Sequence, residues 1–221
     1  MLRAERIVKS YGKLKVLKSI DLEIGKGKIV SIVGASGAGK STLLHILGTL
    51  DKPDEGKVWL DDVELSRLKG NELASYRNKN VGFIFQFHNL LPEFSALENV
   101  CIPAYLSGRK SDQEIIKRGK ELLALLGLEQ RMEHKPSQLS GGEQQRTAVA
   151  RALMNNPSVV FADEPSGNLD SHTADELHRL FFKLRDEMNQ TFVIVTHNEE
   201  LADMADEKLE IKDGVLLNGA L

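Results

Sequence analysis

The sequence predicts an α/β fold, and three observations support this fold class. Apolar runs of strand type alternate with amphipathic runs of helix type along most of the 221 residues. Between residues 30 and 44, a strand-type run passes through a loop of small residues directly into a helix-type run. From about residue 87 to 155 the pattern is helical throughout. We therefore expect one domain over residues 1–221, with a helical subdomain inserted in its core at about 87–155.

The first strand-type runs cover residues 6–9, 16–24 and 28–33, and glycine-containing turns separate them. Tyr11 stands directly before the turn at Gly12. An aromatic ring in this place could stack on an adenine, a contact worth about 1–3 kcal/mol by analogy with base stacking. A lone tyrosine beside a turn is more often a packing residue, so this position gains weight only from the motifs that follow.

The loop between the third strand and the first helix satisfies the pattern G-x-x-x-x-G-K-[ST] over residues 34–41. Its glycines permit tight turns, so that successive backbone N–H groups form a concavity for an anion, and the helix N-terminus adds partial positive charge. A lysine here can reach the β- and γ-phosphates, and the following hydroxyl suits Mg²⁺. The pattern predicts a nucleoside triphosphate site formed by Gly34, Ala35, Ser36, Gly37, Ala38, Gly39, Lys40, Ser41 and Thr42.

Composition excludes several classes of protein. The formal net charge of −3 gives no support for a nucleic-acid-binding surface. A single cysteine, Cys101, cannot form an intramolecular disulfide and fits a reducing compartment. No apolar run approaches the roughly 18 residues that span a bilayer, and the N-terminus lacks the apolar stretch of a signal peptide. The expectation is a soluble, cytosolic chain.

Polar residues follow three strand-type runs at the point where each run ends. Gln86 follows residues 81–85 directly, and Asp163 and Glu164 follow a run from residue 158 to 162. His197 follows residues 191–195 after one intervening residue, Thr196. The carboxyl edge of a parallel sheet faces the ligand crevice, so these side chains are candidates for Mg²⁺ binding and water activation. Taken singly, a solvated strand end explains Gln86 and a structural role explains His197.

The helical segment carries its own signals. An apolar loop at residues 87–94 and a polar break at 107–110 precede a helix with a Ser111–Glu114 capping box. A later helix opens with Ser140, Gly141, Gly142 and Glu143, which again presents backbone N–H groups to an anion.

Together these motifs resemble the nucleotide-binding subunits of ABC transporters over essentially the whole chain. Residues 34–42 are similar to the Walker A loop and residues 159–164 to the Walker B strand. By the same resemblance, the Q-loop position is Gln86, the signature motif is residues 139–143 and the D-loop is residues 166–170. The switch-histidine position is His197, and the A-loop aromatic position is Tyr11. The signature Leu-Ser-Gly-Gly-Glu distinguishes this family from other proteins with the same phosphate-binding loop.

The resemblance implies a RecA-like core, an N-terminal antiparallel β subdomain and a helical insertion. It also implies a head-to-tail homodimer around two ATP molecules with Mg²⁺. Tyr11 would stack the adenine, Lys40 and the loop would hold the phosphates, and Ser41, Gln86 and Asp163 would serve Mg²⁺. Glu164 would be the general base and His197 would position the γ-phosphate. Ser140, Gly141, Gly142 and Glu143 would close on the nucleotide from the opposite subunit.

Within the family, residues 163–170 resemble a subgroup of lipoprotein-releasing, macrolide-exporting and cell-division ATPases. Residues 83–100 look most like the lipoprotein-releasing members. This implies an ATPase bound through integral membrane permease subunits to the cytoplasmic side of a bacterial inner membrane, without a membrane segment of its own. The alternatives are the ATPase of a macrolide-type efflux pump and an ATP-dependent regulator of a cell-division membrane complex.

Overall fold

The structure, a computed structural model, describes residues 1–108 and 111–217. Arg109 and Lys110 of the predicted polar break lie outside the described residues. The strands are β1 (Leu2–Tyr11), β2 (Leu14–Ile24), β3 (Ile29–Val33), β4 (Glu55–Leu60), β5 (Val63–Glu64), β6 (Val81–Phe85), β7 (Val159–Asp163), β8 (Thr191–Val195), β9 (Glu207–Lys212) and β10 (Val215–Leu216). The α-helices are α1 (Lys40–Leu47), α2 (Gly70–Asn80), α3 (Ala96–Ser107), α4 (Asp112–Leu125), α5 (Gly141–Leu153), α6 (Ser171–Met188) and α7 (Glu199–Met204).

The chain divides into two compact units, one formed by Met1–Ala74 with the segment from Leu184 onward and the other by Ser75–Lys183. The first unit contains an antiparallel sheet with strand order β2-β1-β4-β5. It also contains β3, which pairs in parallel with both β8 and β9. Every residue of β8 is buried, as is β3 up to Ile32, which is the pattern of parallel strands covered on both faces.

The second unit combines two parallel strands with helices. In β6 and β7 the register runs from Val81 opposite Val159 to Phe85 opposite Asp163, so both strands end at one edge. Helix α5 packs on β6, where the backbone of Gly82 lies against the carbonyl oxygen of Ala152. Helix α5 also packs on α3 and α4.

Capping explains where the helices of this unit begin. Ser95, Ser111 and Ser140 are the N-caps of α3, α4 and α5, and each forms a complete capping box with a glutamate three residues later. The boxes at Ser111 and Ser140 therefore set the helix starts that the sequence predicts.

No helix in the described part of the chain is both long and apolar enough to cross a membrane.

Candidate functional site

The phosphate-binding loop, residues 34–42, joins β3 to α1 in the first unit. Gly34, Gly37 and Gly39 all have positive φ, at 147°, 77° and 103°. A Cβ atom on Gly34 would collide with the carbonyl oxygen of Ile211, and one on Gly39 would lie 2.8 Å from Leu17 Cδ2. The backbone therefore follows a path that only glycine can follow at these two positions.

Lys40 is the first residue of α1, and its side chain turns back across the loop. Only 6% of the residue is exposed, and Nζ donates hydrogen bonds to the carbonyl oxygens of Gly34 at 2.9 Å and Ala35 at 3.1 Å. A buried ammonium is thus held over a loop whose residues 35–37 are exposed. Lysine and a helix N-terminus in one place form a binding site for a polyanion.

His197 lies beside this loop. A cavity of about 400 Å³ is lined by Gly34 and Ala35 on one side and by Thr196, His197 and their neighbours on the other. Thr196 is buried at the end of β8, and its Oγ1 accepts a hydrogen bond of 3.0 Å from the backbone N–H of Asn198. This turn positions the exposed ring of His197 at the cavity.

In the second unit, Gln86 and Glu164 leave the same edge of the sheet, because Phe85 and Asp163 are register partners in β6 and β7. Gln86 Nε2 donates to Asn168 Oδ1 at 3.1 Å, and Asn168 Nδ2 donates to the carbonyl oxygen of Gln86 at 3.2 Å. The side-chain nitrogen Nε2 of Gln86 is therefore turned toward Asn168, so the side-chain oxygen Oε1 is the Gln86 atom that can bind a cation.

Glu164 has a left-handed backbone, with φ of 48°, immediately after a buried strand. Such a conformation costs a non-glycine residue of order 1–3 kcal/mol and is characteristic of functional sites. The chain bends sharply there, and the N–H of Gly167 donates to the carbonyl oxygen of Glu164 at 3.1 Å.

The second helix N-terminus, at Ser140 and Gly141, is exposed. Ser140 Oγ accepts from the N–H of Glu143 at 3.2 Å, while Glu143 Oε2 accepts from the N–H of Ser140 at 2.8 Å. Arg131 Nε donates to Glu143 Oε1 at 2.8 Å. This hydrogen bond is the largest cause that lowers the pKa of Glu143 to about 2, followed by the one from Ser140. Glu143 is therefore ionised, and its carboxylate stabilises the start of α5 by accepting the hydrogen bond from the N–H of Ser140.

The structure thus places the sequence-predicted residues in separate groups. Within the first unit it brings His197 beside the phosphate-binding loop, and Tyr11 stands at the end of β1 with 53% of its surface exposed. Within the second unit it brings Gln86, Asp163 and Glu164 to one sheet edge, while Ser140, Gly141, Gly142 and Glu143 open α5.

The structure also reveals partners that the sequence reasoning did not assign. Asn168 forms hydrogen bonds with Gln86, and Arg131 donates a hydrogen bond to Glu143. Asp51 accepts a hydrogen bond from the hydroxyl of Tyr11. Arg151 donates to the carbonyl oxygens of His88 and Asn89, both at 2.6 Å. No local pattern marks these pairs, because their members lie at least 12 residues apart in the chain.

Comparison with known proteins gives three findings. A family model described as "ABC transporter" matches residues 17–167. Lipoprotein-releasing system ATP-binding proteins LolD of Cytophaga hutchinsonii and Bacteroides thetaiotaomicron are each 60% identical to this chain, covering 98% of it and 99% of the relative.

Among solved structures, the dimeric post-hydrolysis state of the ATP-binding cassette MJ0796, bound to ADP and Pi, is similar with a TM-score of 0.89 and 42% identity. The likeness covers 99% of this chain and 97% of that one. It confirms the predicted α/β fold class.

The helix start at Ser140 yields a prediction about pH. The pKa of Glu143 is depressed from an ordinary value of 4.5 to about 2, so its stabilising effect is complete above pH 4.5 and is lost as the pH falls toward 2. We expect Glu143→Gln to lower the free energy of unfolding at pH 7 by about 1 kcal/mol, because solvent screens much of the interaction.

Chemical denaturation at pH 7, 4.5 and 3 measures this effect, with Glu133→Gln, an exposed residue, as the matched control. The difference between Glu143→Gln and wild type should shrink as the pH falls. A difference that stays constant from pH 7 to 3 would contradict this role for the Glu143 carboxylate.

Proposed function

The chain belongs to the ABC transporter family, and we propose that it is the ATP-hydrolysing subunit of a complex that releases lipoproteins from a bacterial inner membrane. One observation carries the ATPase part of this proposal: a single chain contains both a phosphate-binding loop and a second exposed helix N-terminus of the signature type at residues 139–143. The proposal that the complex releases lipoproteins rests on the 60% identity, over nearly the whole chain, to lipoprotein-releasing system ATP-binding proteins. The interpretation of residues 1–221 as one nucleotide-binding domain, with a helical subdomain at about 87–155, is part of the proposal.

Nucleotide binding is assigned to residues of the first unit. The ring of Tyr11 would stack on the adenine, and the N–H groups of residues 34–42 would hold the phosphates. Lys40 already has its ammonium over the loop, where its charge would meet the β- and γ-phosphates. Binding would replace two contacts of the ammonium with neutral carbonyl oxygens by contacts with charged phosphate oxygens, which adds the attraction between opposite charges.

The candidate metal ligands fit Mg²⁺ by their chemistry. Ser41 offers a hydroxyl, Gln86 an amide carbonyl and Asp163 a carboxylate, all of which are the oxygen donors that Mg²⁺ prefers. Mg²⁺ normally binds to one or two protein groups together with waters and phosphate oxygens, so a dense cluster is not required. Among the described residues there is no group of three or more His, Cys, Asp and Glu that could hold a metal by itself. The ion, once bound with ATP, would neutralise charge on the phosphates.

Hydrolysis is assigned to Glu164 and His197. Phosphoryl transfer depends mainly on positioning and on electrostatic stabilisation. Glu164, fixed by its bent backbone, would accept a proton from the attacking water as general base. His197, exposed at the cavity beside the loop, would donate a hydrogen bond to the γ-phosphate and orient the water.

The active form is a head-to-tail homodimer with two ATP molecules between the subunits. Ser140, Gly141, Gly142 and Glu143 of one subunit would close on the nucleotide held by the phosphate-binding loop of the other. This accounts for two anion-binding helix starts in one chain, since each copy supplies one half of each site.

The membrane partner is expected to dock on the apolar loop that follows Gln86. Phe87 is 73% exposed, Leu91 43% and Phe94 40%, an unusual concentration of exposed apolar surface within eight residues. A short helix from a permease subunit could insert its apolar side chains there. This docking would place the protein at the cytoplasmic side of the inner membrane as a peripheral subunit.

The first test concerns Glu164. In Glu164→Gln we expect ATP affinity within about threefold of wild type and hydrolysis reduced about 10²–10⁴-fold, because only the proton acceptor is lost. ATP titration calorimetry and phosphate release measure the two effects, and light scattering with ATP and Mg²⁺ should detect a trapped dimer. Glu187→Gln, on the exposed face of α6, is the matched control. Wild-type turnover in folded Glu164→Gln would remove Glu164 from this role.

The second test concerns the membrane partner. Tagged Glu164→Gln is purified from native membranes in mild detergent, and the bound proteins are identified by mass spectrometry. We expect a permease of the lipoprotein-release type, lost when Phe87→Ser is added and kept when Leu217→Ser is added, since both side chains are exposed and apolar. Recovery of a macrolide-export or cell-division membrane protein instead would leave the ATPase intact and overturn the proposed cargo.

A further inference from the structure

Tyr11 is held at its hydroxyl by a residue from elsewhere in the first unit. The hydroxyl donates to Asp51 Oδ2 at 2.7 Å, and the nearby Thr42 side chain has a smaller effect that lowers the pKa of Tyr11. The hydrogen bond to Asp51 is the main cause that raises the pKa of Tyr11, so the phenol stays protonated and remains a donor. The ring nevertheless keeps 53% of its surface exposed.

Lys9 completes this arrangement, which we call the Tyr11 anchor: Lys9, Tyr11 and Asp51. Lys9 is only 8% exposed, and its Nζ donates to Asp51 Oδ1 at 2.9 Å and to the carbonyl oxygen of Lys52 at 2.6 Å. The same ammonium lies 5.2 Å from the centroid of the Tyr11 ring, within cation–π range. A buried lysine is costly unless it is paired, and here Asp51 pairs it.

Asp51 is the centre of the anchor. One carboxylate oxygen accepts from Lys9 and from the N–H of Lys52, and the other accepts from Tyr11. Burial raises the pKa of Asp51, but the hydrogen bonds from Tyr11 and Lys9 outweigh it and leave the pKa below its ordinary value. The carboxylate is therefore ionised and shared between the ring and the buried lysine.

We propose that Lys9 and Asp51 are positioning residues for the nucleotide base, which fix the Tyr11 ring at a set place relative to the phosphate-binding loop. This inference rests on the proposed function, because it assigns to Tyr11 the contact with the adenine. A solvent-exposed aromatic side chain loses rotamer freedom when a ligand orders it, and a ring fixed beforehand avoids that loss. The N–H of Asp51 donates to the carbonyl oxygen of His45 in α1 at 3.2 Å, so Asp51 connects the Tyr11 ring to the helix that begins at Lys40.

A purely structural role can be separated from this one. Asp54 also ties β1 to the turn at residues 51–54: its Oδ2 accepts from the N–H of Ser10 at 2.7 Å, and its own N–H donates to the carbonyl oxygen of Val8 at 2.9 Å. Asp54 also lies 3.9 Å from Lys9 Nζ. The turn thus has attachments that do not involve the Tyr11 hydroxyl, and Asp54→Asn is a control that leaves that hydroxyl bonded.

The experiment compares two ligands on the full-length chain by calorimetry without Mg²⁺, so that turnover does not consume the nucleotide. In the proposed site, ATP contacts both the Tyr11 ring and the phosphate-binding loop, whereas inorganic triphosphate contacts the loop alone. For Tyr11→Phe, Asp51→Asn and Lys9→Met, we expect ATP affinity to fall about 3–10-fold, because a ring that is no longer fixed must be ordered when the base binds. Triphosphate affinity should stay within about twofold of wild type, and Asp54→Asn should change neither.

A double-mutant cycle tests whether Asp51 acts through the ring. We expect the double variant Tyr11→Phe with Asp51→Asn to bind ATP no more weakly than the worse single variant. An equal loss of ATP and triphosphate affinity would assign the anchor a structural role only, and an unchanged ATP affinity in all three single variants would refute the proposal. Failure of the wild-type chain to bind ATP would instead contradict the proposed function.

Discussion

The close approach of Gly34 to the carbonyl oxygen of Ile211 is the constraint on which the site of the first unit depends. No side chain fits between the end of β3 and β9 at this point, so the chain must leave the sheet on the one path that φ of 147° allows. That path starts α1 at Lys40 and brings the carbonyl oxygens of Gly34 and Ala35 within reach of its ammonium. The buried parallel strands fix this geometry before any ligand arrives, which is the preorganisation that a polyanion site requires.

The second unit uses polar side chains to hold an apolar loop in place. Arg151 binds the carbonyl oxygens of His88 and Asn89, whose φ values of 59° and 48° turn the chain away from its strand. Asn99, fully buried, binds backbone groups of Leu91 and Phe94. With its backbone fixed in this way, the loop keeps Phe87 exposed. Hydrogen bonds with Arg151 and Asn99 thus hold the loop backbone while Phe87 stays exposed to solvent, which fits a docking role.

The phosphate-binding loop and two of the helix starts could be predicted from short sequence patterns. The glycines and lysine of the phosphate-binding loop, and the serine–glutamate pairs that start α4 and α5, each depend on residues within eight positions of one another. The other features were not predictable, because tertiary packing alone creates them. Asp51 meets Tyr11 across 40 positions, and Asn168 meets Gln86 across 82. The positive φ of Glu164 likewise has no signal in the sequence, since glutamate is not a residue that favours it.

In the proposed dimer, each nucleotide site combines the phosphate-binding loop of one subunit with the signature helix start of the other. Lys40→Met removes the ammonium from the phosphate-binding loop. Gly141→Asp places a negative charge at the exposed start of α5. A helix N-terminus tolerates an acidic residue, but the added charge would repel the phosphates. Each variant alone should be inactive, because both of its sites contain the damaged element.

Phosphate release from an equal mixture of the two variants shows whether the two subunits share each site. A mixed dimer contains one site with two intact elements, so the mixture should recover roughly a quarter of wild-type turnover, since half of the dimers are mixed and each has one working site of two. If mixed dimers form and the mixture remains as inactive as its components, the sites are not shared between subunits.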